Sequence, residues 1–170
     1  MPRAVKLYVR YVDAVSHAVG RVTMYLIVVM IGLLLYGALS RSILNMPLSW
    51  GVELAQFMLS AYYLLGGAYS MQLDSHVRMD LLYSRWSPRR RAFTDTITAF
   101  ALVAYLVVLL IGGISSTKYA IDYNQRNYSA WAPQLAPIKA IMTAGILLML
   151  LQAISIFFKD LARVRGESLS

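Results

Sequence analysis

Trp50-Gly51-Val52-Glu53 and Asp74-Ser75-His76-Val77-Arg78-Met79-Asp80-Leu81-Leu82 bracket residues 54–73, which carry no charge. An uncharged helical run of about 20 residues matches the hydrocarbon core of a bilayer. The stretch therefore predicts a membrane span over about 51–73. An acidic, aromatic flank leads into it, and a basic flank with a histidine leads out. Nothing ionisable sits at mid-depth, where a transported ion or proton would need a partner.

Working outward, three further apolar runs repeat the pattern, over about 22–40, 93–117 and 136–158. The 170 residues are 59% hydrophobic and only 14% charged, against about 25% charged in soluble domains. This predicts an all-α integral membrane protein, a single membrane domain over 1–170 with four transmembrane helices and short interfacial amphipathic helices. The net charge of +8 does not point to nucleic acid, because the cations sit between apolar runs rather than along one soluble face. With no cysteine, thiolate chemistry and zinc–thiolate sites are excluded.

Residues 1–21 are basic, and Tyr8, Tyr11 or Val12, Val15, Val19 and Val22 recur at helical spacing. They read as an interfacial N-terminal segment or a charged flank. Ala38-Leu39-Ser40 has the small-x-small form of a cleavage site, but the apolar run exceeds a signal peptide's, so it reads as a retained span. In the connection 74–92, Val77, Leu81, Leu82 and Trp86 suggest a brief amphipathic helix ending near Ser87-Pro88. All but four of the 16 Lys and Arg lie in the N-terminal segment, this connection and the C-terminal tail. The exceptions are Arg41, Lys118, Arg126 and Lys139. The positive-inside rule then puts both termini and loop 74–92 in the cytoplasm, and loop 118–135 on the opposite, outer side.

Within the second span, Glu53, Gln56, Ser60, Tyr63, Gly67, Ser70 and Asp74 recur every three or four residues, giving a polar and small stripe expected to face protein. A weaker stripe, Thr94, Thr98, Ala101, Tyr105, Val108, Gly112 and Ser115, runs along the third. Arg41 and Glu53 close consecutive spans on one side and are expected to pair, with Trp50 as an interfacial anchor. Tyr123, Arg126, Tyr128 and Trp131 give the outer loop the composition of a protein interface or of an aromatic belt facing headgroups. His76 and Asp80 share a helical face, but with Asp74 they fall short of a closed metal site and read as hydrogen-bonding groups at the inner interface. No serine–histidine–acid set falls at a common depth, so the chain is not read as an enzyme. Nor does any span hold the mid-membrane acid that a small proton-coupled exporter needs.

Three groups of residues together resemble a known family. They are Arg41…Trp50-x-x-Glu53; Leu65-Gly66-Gly67-Ala68 followed by His76-Val77-Arg78-Met79-Asp80-Leu81-Leu82; and Ser129-Ala130-Trp131-Ala132-Pro133 with Pro137-Ile138-Lys139 and Leu151-Gln152. This order resembles the small membrane subunit of tripartite ATP-independent periplasmic (TRAP) transporters, the DctQ-like family. Val52 stands where the family often has the first of two acidic residues, so that residue's role does not carry over. The resemblance implies a scaffold subunit bracing a large elevator-type membrane subunit, which would carry the substrate and sodium sites. It implies no cofactor in this chain, a periplasmic binding protein as a further partner, and uptake of an organic acid. Arg41, Trp50, Glu53, Gln56, Ser60, Gly67, Ser70, His76 and Asp80 become candidates for subunit contacts. Tyr123, Arg126, Tyr128 and Trp131 become candidates for docking the binding protein. The alternative is a stand-alone four-helix membrane protein or small exporter.

Overall fold

A computed structural model of the chain describes residues 3–46, 48–73 and 88–164. They form four helices: α1 (Arg3–Ile43), α2 (Ser49–Gln72), α3 (Pro88–Asp122) and α4 (Ala136–Val164). The amphipathic helix expected within 77–86, together with His76 and Asp80, lies outside the described residues.

The main departure from expectation is α1. No proline interrupts residues 3–43, and the helix runs unbroken for 41 residues, about 60 Å at 1.5 Å per residue. Residues 3–21, expected as an interfacial segment or a charged flank, continue into the first apolar run as one helix. Val9, Val12, Ser16, Gly20 and Thr23 are all buried, and their spacing of three and four makes one helical face. The helix ends at Asn45, whose φ of 52° is left-handed, a conformation asparagine tolerates better than most residues. The buried Ser40 secures this turn. Its carbonyl accepts from Leu44 N at 3.0 Å and Met46 N at 3.4 Å, while its hydroxyl donates to Met46 O at 3.0 Å.

The last helix, α4, is central and packs on each of the other three; α1 also packs on α2. Two close approaches set these crossings. A Cβ at Gly145 would stand 2.8 Å from the Leu64 carbonyl carbon, backbone against backbone. A Cβ at Gly20 would run into the Tyr69 ring. A small apolar cluster of Met71, Leu106 and Ala153 joins α2, α3 and α4.

Among the described residues, three helices are long and apolar enough to cross a membrane: α1, α3 and α4. The remaining helix, α2, has the length for it at 24 residues, but Gln56, Ser60 and Ser70 together with Tyr62, Tyr63 and Tyr69 dilute its hydropathy. In the apolar windows of α1 and α3 only 6% of residues are buried within the chain, against 28% in α4. The core therefore sits along α4, and the outer two helices turn most of their apolar surface outward.

The N-terminal part of α1 is tied to the C-terminal part of α4 by a polar knot. Ser16 and Gln152 are fully buried, and the Ser16 hydroxyl donates to Gln152 Oε1 at 2.8 Å. Gln152 Nε2 donates to Asp13 Oδ1 at 3.0 Å, and the buried Ser155 hydroxyl donates to the same oxygen at 3.5 Å. Lys159 Nζ completes the set with an ion pair to Asp13 Oδ2 at 2.5 Å. Tyr8 caps it, donating to Leu151 O at 3.1 Å. A polar group in an apolar setting is costly unless paired, and here each buried member has a partner.

Candidate functional site

The other end of the bundle carries the described loop, residues 123–135, and it is built rather than slack. Asn124 follows α3 with φ 46°. Gln125 N donates to Ala120 O at 3.0 Å and Asn124 N to Ile121 O at 3.2 Å, the two bonds of a Schellman stop. The loop then doubles back. Arg126 and Gln134 form an antiparallel bridge, flanked by Asn127 N to Pro133 O and Leu135 N to Gln125 O, both 3.0 Å. Gln134 Nε2 donates to Asn124 Oδ1 at 3.2 Å, and Lys139 Nζ donates to Gln125 Oε1 at 2.8 Å. At its tip, Ala132 takes a φ of 44° and its amide reaches the Ser129 hydroxyl at 3.2 Å.

Two contacts fasten the loop to the start of α2. Asn127 Nδ2 donates to Glu53 Oε2 at 3.3 Å, and the Trp50 and Trp131 rings lie 6.4 Å apart at 56°. This corrects the expected Arg41–Glu53 ion pair. Glu53 bonds the loop, whereas the exposed Arg41 lines a cleft between α1 and α2 with Leu34, Ala38 and Val52. Trp50 packs on Trp131 rather than over such a pair.

All four docking candidates, Tyr123, Arg126, Tyr128 and Trp131, are exposed on this fastened loop. Tyr128 is fully so. Rigid aromatic residues beside an arginine suit protein contact, because little side-chain entropy is lost on binding.

The stripe on α2 is divided. Gln56 and Tyr63 are exposed, and Glu53, Ser60, Gly67 and Ser70 are half-buried. Gly67 lies under Met149 of α4, while the Ser60 hydroxyl satisfies its own helix at Gln56 O, 2.9 Å away. The residues buried from α2 are instead Gly51, Ala55, Ala61, Ala68 and Met71, centred about two-fifths of a turn away from the polar stripe at 100° per residue. The seam inside the chain is thus made of alanine, and Gln56 and Tyr63 stay free of it. On α3 the described part of the weaker stripe, Thr98, Ala101, Tyr105, Val108, Gly112 and Ser115, is exposed throughout.

The signal for the polar knot was present but divided between distant segments. Asp13 is the acidic residue among the cations of residues 1–21, and it sits beside Val12 and Ser16 on the inward face. An acid so placed needs a partner. Gln152, Ser155 and Lys159, spaced three and four apart, form one face of α4.

The family model for tripartite ATP-independent periplasmic transporters, DctQ component, matches residues 30–163. A curated relative, the sialic acid TRAP transporter permease protein SiaT of Haemophilus influenzae (strain 86-028NP), is 26% identical over 137 residues. That match covers 79% of this chain and 22% of the relative, so the chain spans about a fifth of the relative's length. Taken with the three apolar helices, the match along most of its length shows that this multi-pass inner-membrane chain belongs to the DctQ component family of TRAP transporters.

Proposed function

We propose that this chain is the small scaffold subunit of a TRAP-type secondary transporter. It braces a large elevator-type membrane subunit and helps dock a periplasmic binding protein during sodium-driven uptake of an organic acid. The observation that carries this reading is where apolar surface is left over. Helices α1 and α3 bury little of their apolar windows within the chain, so a wide flank is free for lipid and a larger membrane partner. The relative's extra length, nearly four-fifths of it beyond the match, supports a large partner domain as the counterpart.

In this reading α2 is a fourth crossing, with Gln56 and Tyr63 turned to the partner or to headgroups. Both termini lie in the cytoplasm, as the Lys and Arg bias requires. The fastened loop with Tyr123, Arg126, Tyr128 and Trp131 then faces the periplasm, where the binding protein arrives. Sodium and substrate are held by the large subunit. The chain's task is mechanical: a fixed frame must resist tilting while the transport domain slides, and added helices with interfacial tryptophans resist it.

The test is an affinity pull-down of this chain from its native membrane in mild detergent. The expected result is recovery of a much larger multi-span protein in fixed ratio. Recovery of this chain alone across several detergents would refute the scaffold reading and favour a stand-alone membrane protein.

A further inference from the structure

Near the loop end, α2 and α3 stand apart on either side of α4 and leave a cleft of about 230 Å³. Phe57 and Ser60 of α2 form one wall, and Gly113 and Ser116 of α3 the other. Its floor is Ile138, Met142 and Ile146 of α4, and Lys139 stands at the end nearest the loop. From Lys139 to Ile146 the cleft runs about 10 Å along the helix.

The lining offers water little. A stable buried water needs two to four polar partners, and of the lining hydroxyls those of Ser60 and Thr143 are already used, which leaves the exposed Ser116 at the rim. Ser60 donates within its own helix at 2.9 Å. Thr143 donates to Lys139 O at 2.8 Å and meets the Thr117 hydroxyl at 2.9 Å. The cleft therefore suits an apolar chain. Its mouth suits an anion: the Lys139 ammonium is half-buried, its described partner is the neutral amide of Gln125 at 2.8 Å, and an ammonium has three protons to donate. An apolar slot with a cation at one end matches a single-chain section of an anionic amphiphile.

We propose that this cleft is a phospholipid site, with one acyl chain lying between α2 and α3 and the headgroup phosphate on Lys139. The proposal rests only on the chain lying in a bilayer, and it stands whether or not the scaffold reading does. Lipid held there would wedge α2 and α3 at a set distance and leave α4 the shared support of both.

The full chain, purified in mild detergent, is loaded with phosphatidylglycerol bearing a diazirine on one acyl chain, irradiated, and its adducts mapped by mass spectrometry. Adducts should concentrate on Phe57, Met142 and Ile146 relative to the exposed flank at Phe100, Val108 and Ile111. Ser116→Phe fills the slot from an exposed position, and should bring cleft labelling down to the level of that flank with helix content unchanged. Lys139→Gln keeps an amide able to reach Gln125, and should cut the preference for phosphatidylglycerol over phosphatidylcholine about fivefold, the weight of one cation at a charged surface. Uniform labelling, or cleft labelling indifferent to Ser116→Phe, would overturn the proposal. So would a headgroup preference unmoved by Lys139→Gln. The same labelling is repeated on the chain isolated with its larger membrane partner. Loss of cleft adducts there would mean that protein, not lipid, fills the slot, and would also overturn it.

Discussion

Replacing Gly145 with alanine tests how closely α2 and α4 are pressed together. The added Cβ would stand 2.8 Å from the Leu64 carbonyl carbon, 2.9 Å from its oxygen and 3.0 Å from its Cβ. Carbon atoms are comfortable at 3.5–4.0 Å, so the helices must part by roughly 0.7 Å or more. The neighbour is backbone and cannot swing aside as a side-chain tip would. Overpacking of this kind costs about 1–3 kcal/mol. That is about 5- to 150-fold in the folding equilibrium. For a chain of this size it corresponds to roughly 2–12 °C in Tm. Gly112→Ala is the control, because a Cβ there meets nothing within 4 Å. Thermal unfolding of the two variants in one detergent, followed by circular dichroism, should show a loss for Gly145→Ala and none for Gly112→Ala. Equal Tm values for both would refute the close crossing.

Gln152→Leu keeps the volume but strands the buried Ser16 hydroxyl and removes one donor to Asp13. A loss of about 1–3 kcal/mol is expected. Adding Ser16→Ala should recover part of it, and strict additivity of the two changes in a denaturation series would count against the knot. Glu53→Ala removes the acceptor for Asn127 and should raise protease cleavage within residues 123–135 while leaving helix content unchanged. Cleavage no faster than in the parent chain would mean that the loop's own ladder and the tryptophan pair hold it alone.

The crossing helices were legible because a bilayer imposes a length and a composition that uncharged runs display directly. The extent of α1 was not. Its first residues are basic, and cations suggest a flank at the membrane surface, whereas Val9, Val12 and Ser16 are in fact buried, Ser16 on Gln152 of α4. The stripe on α2 shows a second limit. Periodicity groups residues on a face but does not say what that face touches. The seam within the chain went to Ala55, Ala61 and Ala68, where small size permits close approach, and polar Gln56 and Tyr63 were left outside. Charge complementarity likewise suggested Arg41 for Glu53, while chain connectivity delivered Asn127 instead. That choice follows from how the loop folds back between α3 and α4, which no local pattern displays.

The unbroken length of α1 has a mechanical consequence. A rod about 60 Å long is twice the thickness of a hydrocarbon core of about 30 Å. Pivoted at its Ile43 end, a swing of only about 10° would carry the far tip through about 10 Å. The tie from Asp13 to Lys159 sits close to that tip, where leverage is greatest and a single fastening restrains the most motion. Helices α1 and α4 therefore act as a splint: force applied to the exposed flank of one is borne by both.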